Sequence, residues 1–243
     1  MATSVKSART TTVRATRNDG MGLYLKRVFC LMFGAVGLTA IASFVTMATP
    51  MWTWLFTSTG LSAFYYILLF GGLALSIWAQ VRAFHLKPAT GGLLLALYSI
   101  MMGIVMTPLL LVSVTHNPWT ILFAFAIAAV MFGCMALFGY KTVRDLSFLR
   151  IFLFMGMIGL ILVGLASFIW PTLIGGTFGT IVCFIGVLVF ALFTAYDMQT
   201  LKSAYAYVGD DTQKNQLAVL GALHLYISFV AMFQYILSLF NRN

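Results

Sequence analysis

The stretch Gly175–Thr200, GGTFGTIVCFIGVLVFALFTAYDMQT, decides how this chain is read. From Gly175 to Tyr196 it carries no charged residue, and then a single carboxylate, Asp197, appears. About 20 apolar residues make a helix long enough to cross the roughly 30 Å hydrocarbon core of a bilayer. Six further runs approach that length: Val28–Ala48, Leu61–Val81, Gly91–Val114, Trp119–Tyr140, Ile151–Trp170 and Leu217–Phe240. A barrel strand would instead alternate polar and apolar residues over about 10 positions. The expected fold is therefore an all-α integral membrane bundle of seven transmembrane helices.

Composition agrees. Of 243 residues, 62% are hydrophobic and 8% charged, whereas a soluble domain carries about 25% charged residues. There is no Glu, and the acidic residues are Asp19, Asp145, Asp197, Asp210 and Asp211. Cys30, Cys134 and Cys183 are scattered through apolar runs without CxxC or Cys/His spacing. That pattern supports neither a disulfide framework nor a zinc site.

The net charge of +9 reads as topology rather than as affinity for nucleic acid. Thirteen of the fourteen Lys and Arg residues fall before the first run or between the second and third, the fourth and fifth, and the sixth and seventh; Arg242 is the exception. The positive-inside rule then predicts a cytosolic N-terminus and an outer C-terminus, in what we expect to be a bacterial inner membrane. Residues 1–22, rich in Thr, Ser and Arg, are expected to form a disordered basic tail ahead of a membrane domain over 23–243. The outer connections Thr49–Gly60, Thr115–Pro118 and Pro171–Ile174 are too short for a folded domain. Trp52, Trp54, Trp119 and Trp170 lie in or beside them, as interfacial anchors do.

Within such spans an ionisable group is a functional candidate, because burying it is costly. Asp197 closes the sixth run, and an aspartate at a helix C-terminus, where the macrodipole is negative, needs a cation or a proton. His224, the one histidine in any run, is expected about two turns into the seventh helix, where it is suited to titrate near physiological pH. Asp210 and Asp211, in YVGDDTQKNQ, read as a solvated turn, since they lack the D-x-D-x-D-G spacing of a calcium loop. Enzymes fit poorly. An intramembrane aspartyl protease needs a second aspartate, and a serine hydrolase needs a nucleophile elbow. A retinal protein needs a lysine in the last helix. The chain is expected to be neither an enzyme nor a carrier of a small-molecule cofactor.

Four segments carry a resemblance: ALYSIMMGIVMTPLL (Ala96–Leu110), RDLSFLRIFLFMGMIGLILVGL (Arg144–Leu165), IGVLVFALFTAYDMQTLK (Ile185–Lys202) and AVLGALHLYISFVAMFQYILSLF (Ala218–Phe240). In order and spacing they resemble the Bax-inhibitor-motif membrane proteins. The resemblance implies a seventh helix at the centre of the bundle and a pH-sensitive calcium leak. It also implies roles in stress and cell death, or in modulating a membrane-anchored protease. The family's proton sensor is a pair of aspartates. One carries over to Asp197; the other falls on Ser228, with Ala231 where an asparagine is usual. Two close carboxylates share one proton and titrate as a pair, so this chain lacks that device and keeps Asp197 as a weak calcium ligand at most. Two substitutes are expected. Arg82, or else Lys87, is the basic latch for Asp197 that the family places near the end of the second helix. His224, four residues before Ser228 and so on the same helix face, is the alternative proton partner. A non-conducting interaction protein is the competing reading.

Overall fold

A computed structural model describes the backbone of residues 2–57, 60–82, 87–170 and 175–242, and the side chains of these except residues 2–19, 168 and 169. Seven helices run α1 (Ala2–Ala48), α2 (Ala63–Arg82), α3 (Pro88–His116), α4 (Trp119–Lys141), α5 (Ser147–Ile169), α6 (Gly176–Tyr207) and α7 (Asp211–Phe240). All seven are long and apolar enough to cross a membrane, with the α1 span counted from Gly20. The protein is an all-α integral membrane bundle. The tail expected over residues 1–22 falls mainly on 1–19, whose side chains lie outside the described residues, as does the connection at 171–174.

The helices overrun the apolar runs from which they are predicted. Most consequentially, α6 continues ten residues past Asp197 to Tyr207, about 15 Å of extra helix. Asp197 is therefore not a helix C-terminal residue, and the macrodipole, confined to the last turn, does not act on it. α7 begins at Asp211 rather than near Leu217, which moves His224 from two turns to nearly four turns along its helix. α3 stays continuous through Pro108. The connection after α1 holds a short 3-10 turn, Pro50–Leu55, and two-residue strands β1 (Phe56–Thr57) and β2 (Gly60–Leu61) paired antiparallel. Gly60 adopts φ of 141° there, a conformation open to glycine.

α7 is the core. Of its most apolar window 67% is buried within the protein, against 11% for α2 and for α5. It packs against α6, α1, α4 and α3, while α5 leans mainly on α6 and α2 on α3. Lipid tails are as apolar as leucine, so helix association in a bilayer depends on close packing of small residues and on interhelical hydrogen bonds. Both are present. The Tyr235 ring lies over Gly186 of α6, with its atoms 2.7 Å from where a Cβ would sit. Gly139 of α4 meets the backbone of Ala195, and Gly221 of α7 the side chain of Leu201. On the opposite flank, the Thr39 hydroxyl of α1 lies 2.6 Å from the Tyr226 hydroxyl of α7 and donates to the Ser99 carbonyl of α3 at 3.1 Å. One turn on, Ser43 donates to the Gly103 carbonyl at 2.8 Å.

The α1–α3 seam makes a direct test. A Cβ on Gly103 would sit 2.6 Å from the Thr39 carbonyl oxygen and 2.7 Å from the Ala42 Cβ, so the backbones themselves must part. Gly103→Ala is expected to cost about 1–3 kcal/mol, the range for overpacking, read as a lowered thermal midpoint in detergent. Gly34→Ala, where a Cβ meets nothing within 4 Å, is expected to leave the midpoint near wild type.

Candidate functional site

Asp197 and Ser228 face each other across the α6–α7 contact. The Ser228 hydroxyl donates to Asp197 Oδ2 at 3.3 Å, and the Asp197 side chain is 12% exposed. His224 lies one turn before Ser228 on α7, and its Nδ1 stands 4.0 Å from Asp197 Oδ1. That is too long for a direct hydrogen bond but within ion-pair reach. The other ring nitrogen, Nε2, lies 3.0 Å from Oε1 of Gln80 on α2. With the glutamine oxygen placed there, Nε2–H is the donor. Nδ1 then carries either a lone pair or, in the imidazolium, a second proton. Closing the gap between Nδ1 and the carboxylate as a hydrogen bond takes one proton, held by the ring or by the acid. The site is thus a chain of four side chains from three helices: Ser228, Asp197, His224 and Gln80.

Of the residues expected from the sequence, the structure brings Asp197, His224 and Ser228 together and leaves Arg82 out. Arg82 ends α2 as an exposed residue and, among the described residues, makes no ion pair; Lys87 is exposed at the start of α3. The reason is helical geometry. Gln80 faces the site, and residues two apart on a helix point to different sides. Calcium takes six to eight oxygen ligands. Among the described residues no group of three or more His, Cys, Asp or Glu gathers anywhere, and Asp197 is the one carboxylate at this site.

Lys202 does not join this site. Its Nζ donates to the Tyr140 carbonyl at 2.8 Å and lies 5.1 Å from the centroid of the Tyr140 ring. That caps the C-terminal end of α4, a favourable place for a cation. Asp211 pairs with Lys214 at 2.8 Å on the surface.

Two glutamines were not singled out from the sequence. Gln80 is the site's fourth member. Gln199 joins two of the sequence motifs: its Oε1 accepts from Leu146 N–H at 2.8 Å, and its Nε2 donates to the Arg144 carbonyl at 2.8 Å. The glutamine of YDMQ therefore fastens the backbone of RDLSFL, with Asp197 and Gln199 pointing to different sides of α6. In that loop Asp145 accepts from both the backbone N–H and the hydroxyl of Ser147, which hold its carboxyl below the ordinary carboxylate value. The legible signal was the spacing itself: a polar residue two positions from a candidate acid addresses a different neighbour.

The model of the family described as inhibitor of apoptosis-promoting Bax1 matches residues 21–243. The chain belongs to this Bax1-I family. It is 33% identical over 227 residues to the inner membrane protein YbhL of Escherichia coli K12, covering 92% of this chain and 93% of YbhL. A Caulobacter vibrioides protein is 34% identical over 187 residues, 76% of this chain and 72% of that one. The protein RP147 of Rickettsia prowazekii is 29% identical over 232 residues, 96% and 94% of the two chains. The kinship covers both motifs that Gln199 ties together.

Gln199→Leu removes one acceptor and one donor from the α4–α5 loop. Each lost bond is worth about 1 kcal/mol net, and the Leu146 N–H is left without its partner. Faster hydrogen exchange over residues 144–147 is expected, with slower exchange retained in α6. Gln199→Glu keeps the acceptor for Leu146 and is expected to fall between the two.

Proposed function

We propose that this Bax1-I protein is a pH-sensitive cation leak, with calcium as the transported ion, in which Asp197 attracts the cation and His224 exchanges the proton that switches the site. It would sit in a bacterial inner membrane with its N-terminus in the cytosol, a reading supported by the charge placement along the chain and by YbhL being an inner membrane protein. The role is non-enzymatic, without a bound cofactor. The observation that carries the proposal is the approach of His224 Nδ1 to Asp197 Oδ1 at 4.0 Å, between the two helices in tightest contact.

The sign of the pH dependence follows from charge. A neutral imidazole beside a carboxylate leaves the pair with one negative charge. One added proton, on ring or acid, makes the pair neutral overall. The other groups facing it, Ser228 and Gln80, do not titrate in this range, and Lys202 is turned to Tyr140. A unit charge about 4 Å from a cation is worth about 4 kcal/mol at an effective dielectric of about 20. Neutralising the pair therefore weakens cation entry, and flux is expected to fall as pH is lowered.

The test is calcium uptake into proteoliposomes across pH 5–8. Asp197→Asn removes the charge and is expected to lower flux at least about tenfold, the factor that 1.4 kcal/mol makes in a rate. It should also flatten the profile. His224→Gln keeps a polar side chain without the titrating ring; flux is expected to persist with its pH dependence lost. Absence of flux at every pH, or a wild-type profile in Asp197→Asn, would overturn the proposal. It would favour instead a non-conducting protein that modulates a membrane protease or another membrane partner, the reading that replacement of the second aspartate by Ser228 already favours.

A further inference from the structure

A groove of about 520 Å3 opens between α1 and α4, two helices that both cover α7 but stand apart along this line. Its walls are aromatic and apolar: Phe29 and Phe33 from α1, Phe125 and Gly133 from α4, with Met198 and Phe229 as the floor. From Phe125 to Tyr140, the last α4 residue lining it, is fifteen residues or about 22 Å of helix. One leaflet's hydrocarbon is about 15 Å deep. The groove is therefore long enough for a lipid tail, and its volume lies within the range of small-molecule sites, about 300–1,000 Å3.

The two ends differ. At the Tyr140 end the Lys202 ammonium spends one of its three N–H donors on the Tyr140 carbonyl, which leaves two. Lys141 follows Tyr140 and is exposed, and Lys26, also exposed, follows Leu25, which lines the groove from α1. Among the described residues, no carboxylate lines any part of it. An apolar slot with cations at one end fits an amphiphile with an anionic head.

We propose that the α1–α4 groove binds one acyl chain of an anionic phospholipid, with its phosphate on Lys202 and Lys141. This stands apart from the leak proposal and holds whether or not the protein conducts. The occupant would touch Met198 and Phe229, the chain neighbours of Asp197 and Ser228. Phe229 is fixed edge-on against Phe125 and Phe132, with centroids 5.6 and 5.5 Å away. A lipid in the groove thus packs on the back of the α6–α7 site.

The experiment is native mass spectrometry of the purified full chain, released from micelles containing equal amounts of phosphatidylglycerol and phosphatidylcholine with the same tails. Wild type is expected to retain phosphatidylglycerol preferentially. Each lysine near the membrane surface contributes about a fivefold preference for anionic lipid, so Lys141→Gln is expected to lower it about fivefold. Lys202→Gln should do likewise, and Lys202→Arg should keep it. Gly133→Phe fills the groove from a position where a Cβ meets nothing within 4 Å, and is expected to reduce retention of both lipids. Inorganic phosphate is expected not to displace the bound lipid. Equal retention of the two lipids by wild type, undiminished phosphatidylglycerol in Gly133→Phe, displacement by phosphate alone, or a lipid-free dimer in place of the lipid-bound monomer would each overturn the proposal. Should loss of the α4 cap unfold Lys202→Gln, the Lys141 and Gly133 variants decide.

Discussion

A helix withdrawn from lipid into the middle of a bundle can keep polar side chains only where its neighbours supply their partners. No water in the bilayer core does so. α7 is that helix, and its polar residues set what surrounds it. Tyr226 finds the Thr39 hydroxyl of α1, Ser228 finds Asp197 of α6, and His224 finds Gln80 of α2. Each of these partners fixes the rotation of the helix that brings it. Glycines at 139, 186 and 221 then let α4, α6 and α7 approach closely enough for the bonds to form. The polar contacts specify which faces meet, and the small residues set how closely.

This division explains what the sequence could and could not tell. Seven crossings were legible because each needs only length and apolarity. Helix ends were not legible. α6 runs on through Gln199–Tyr207 because nothing in that segment breaks it; the stop comes at Val208, just before Gly209, beyond the point where hydrophobicity ends. The apolar run marks what lies in lipid, and the helix continues as far as its backbone bonds allow. Asp197 closes the apolar run without closing the helix.

Rotation was the second hidden quantity. From spacing alone, Arg82 and Gln80 are both near the end of α2, and a cation is the natural partner for an acid. Each residue turns the helix by 100°, so two positions separate facing the site from facing away. That angle is set by how α2 leans on α3, which no single segment encodes. His224 and Ser228 escaped the problem because they share one helix and one face, and Asp197 was tied to Ser228 by the resemblance of its motif. Gln199 shows the converse: one motif glutamine bonds the other motif's backbone, a link between segments read separately.

The same turn of 100° per residue relates the site to the groove behind it. Neighbouring residues on a helix point about 100° apart, so Asp197 and Met198, and likewise Ser228 and Phe229, present one member to the acid–histidine contact and the other to the space between α1 and α4. The two surfaces therefore share a backbone. A shift of either helix by a fraction of an ångström, small on the scale of a side chain, changes the 3.3 Å and 4.0 Å separations at Asp197 as directly as it changes the groove. The Phe125, Phe132 and Phe229 rings, packed edge-on, resist that shift from one side, and Gly186 against Tyr235 resists it from the other. Because the site holds one carboxylate, its behaviour rests on distances to neutral or weakly basic partners. Those distances are held by packing against α7 rather than by charge.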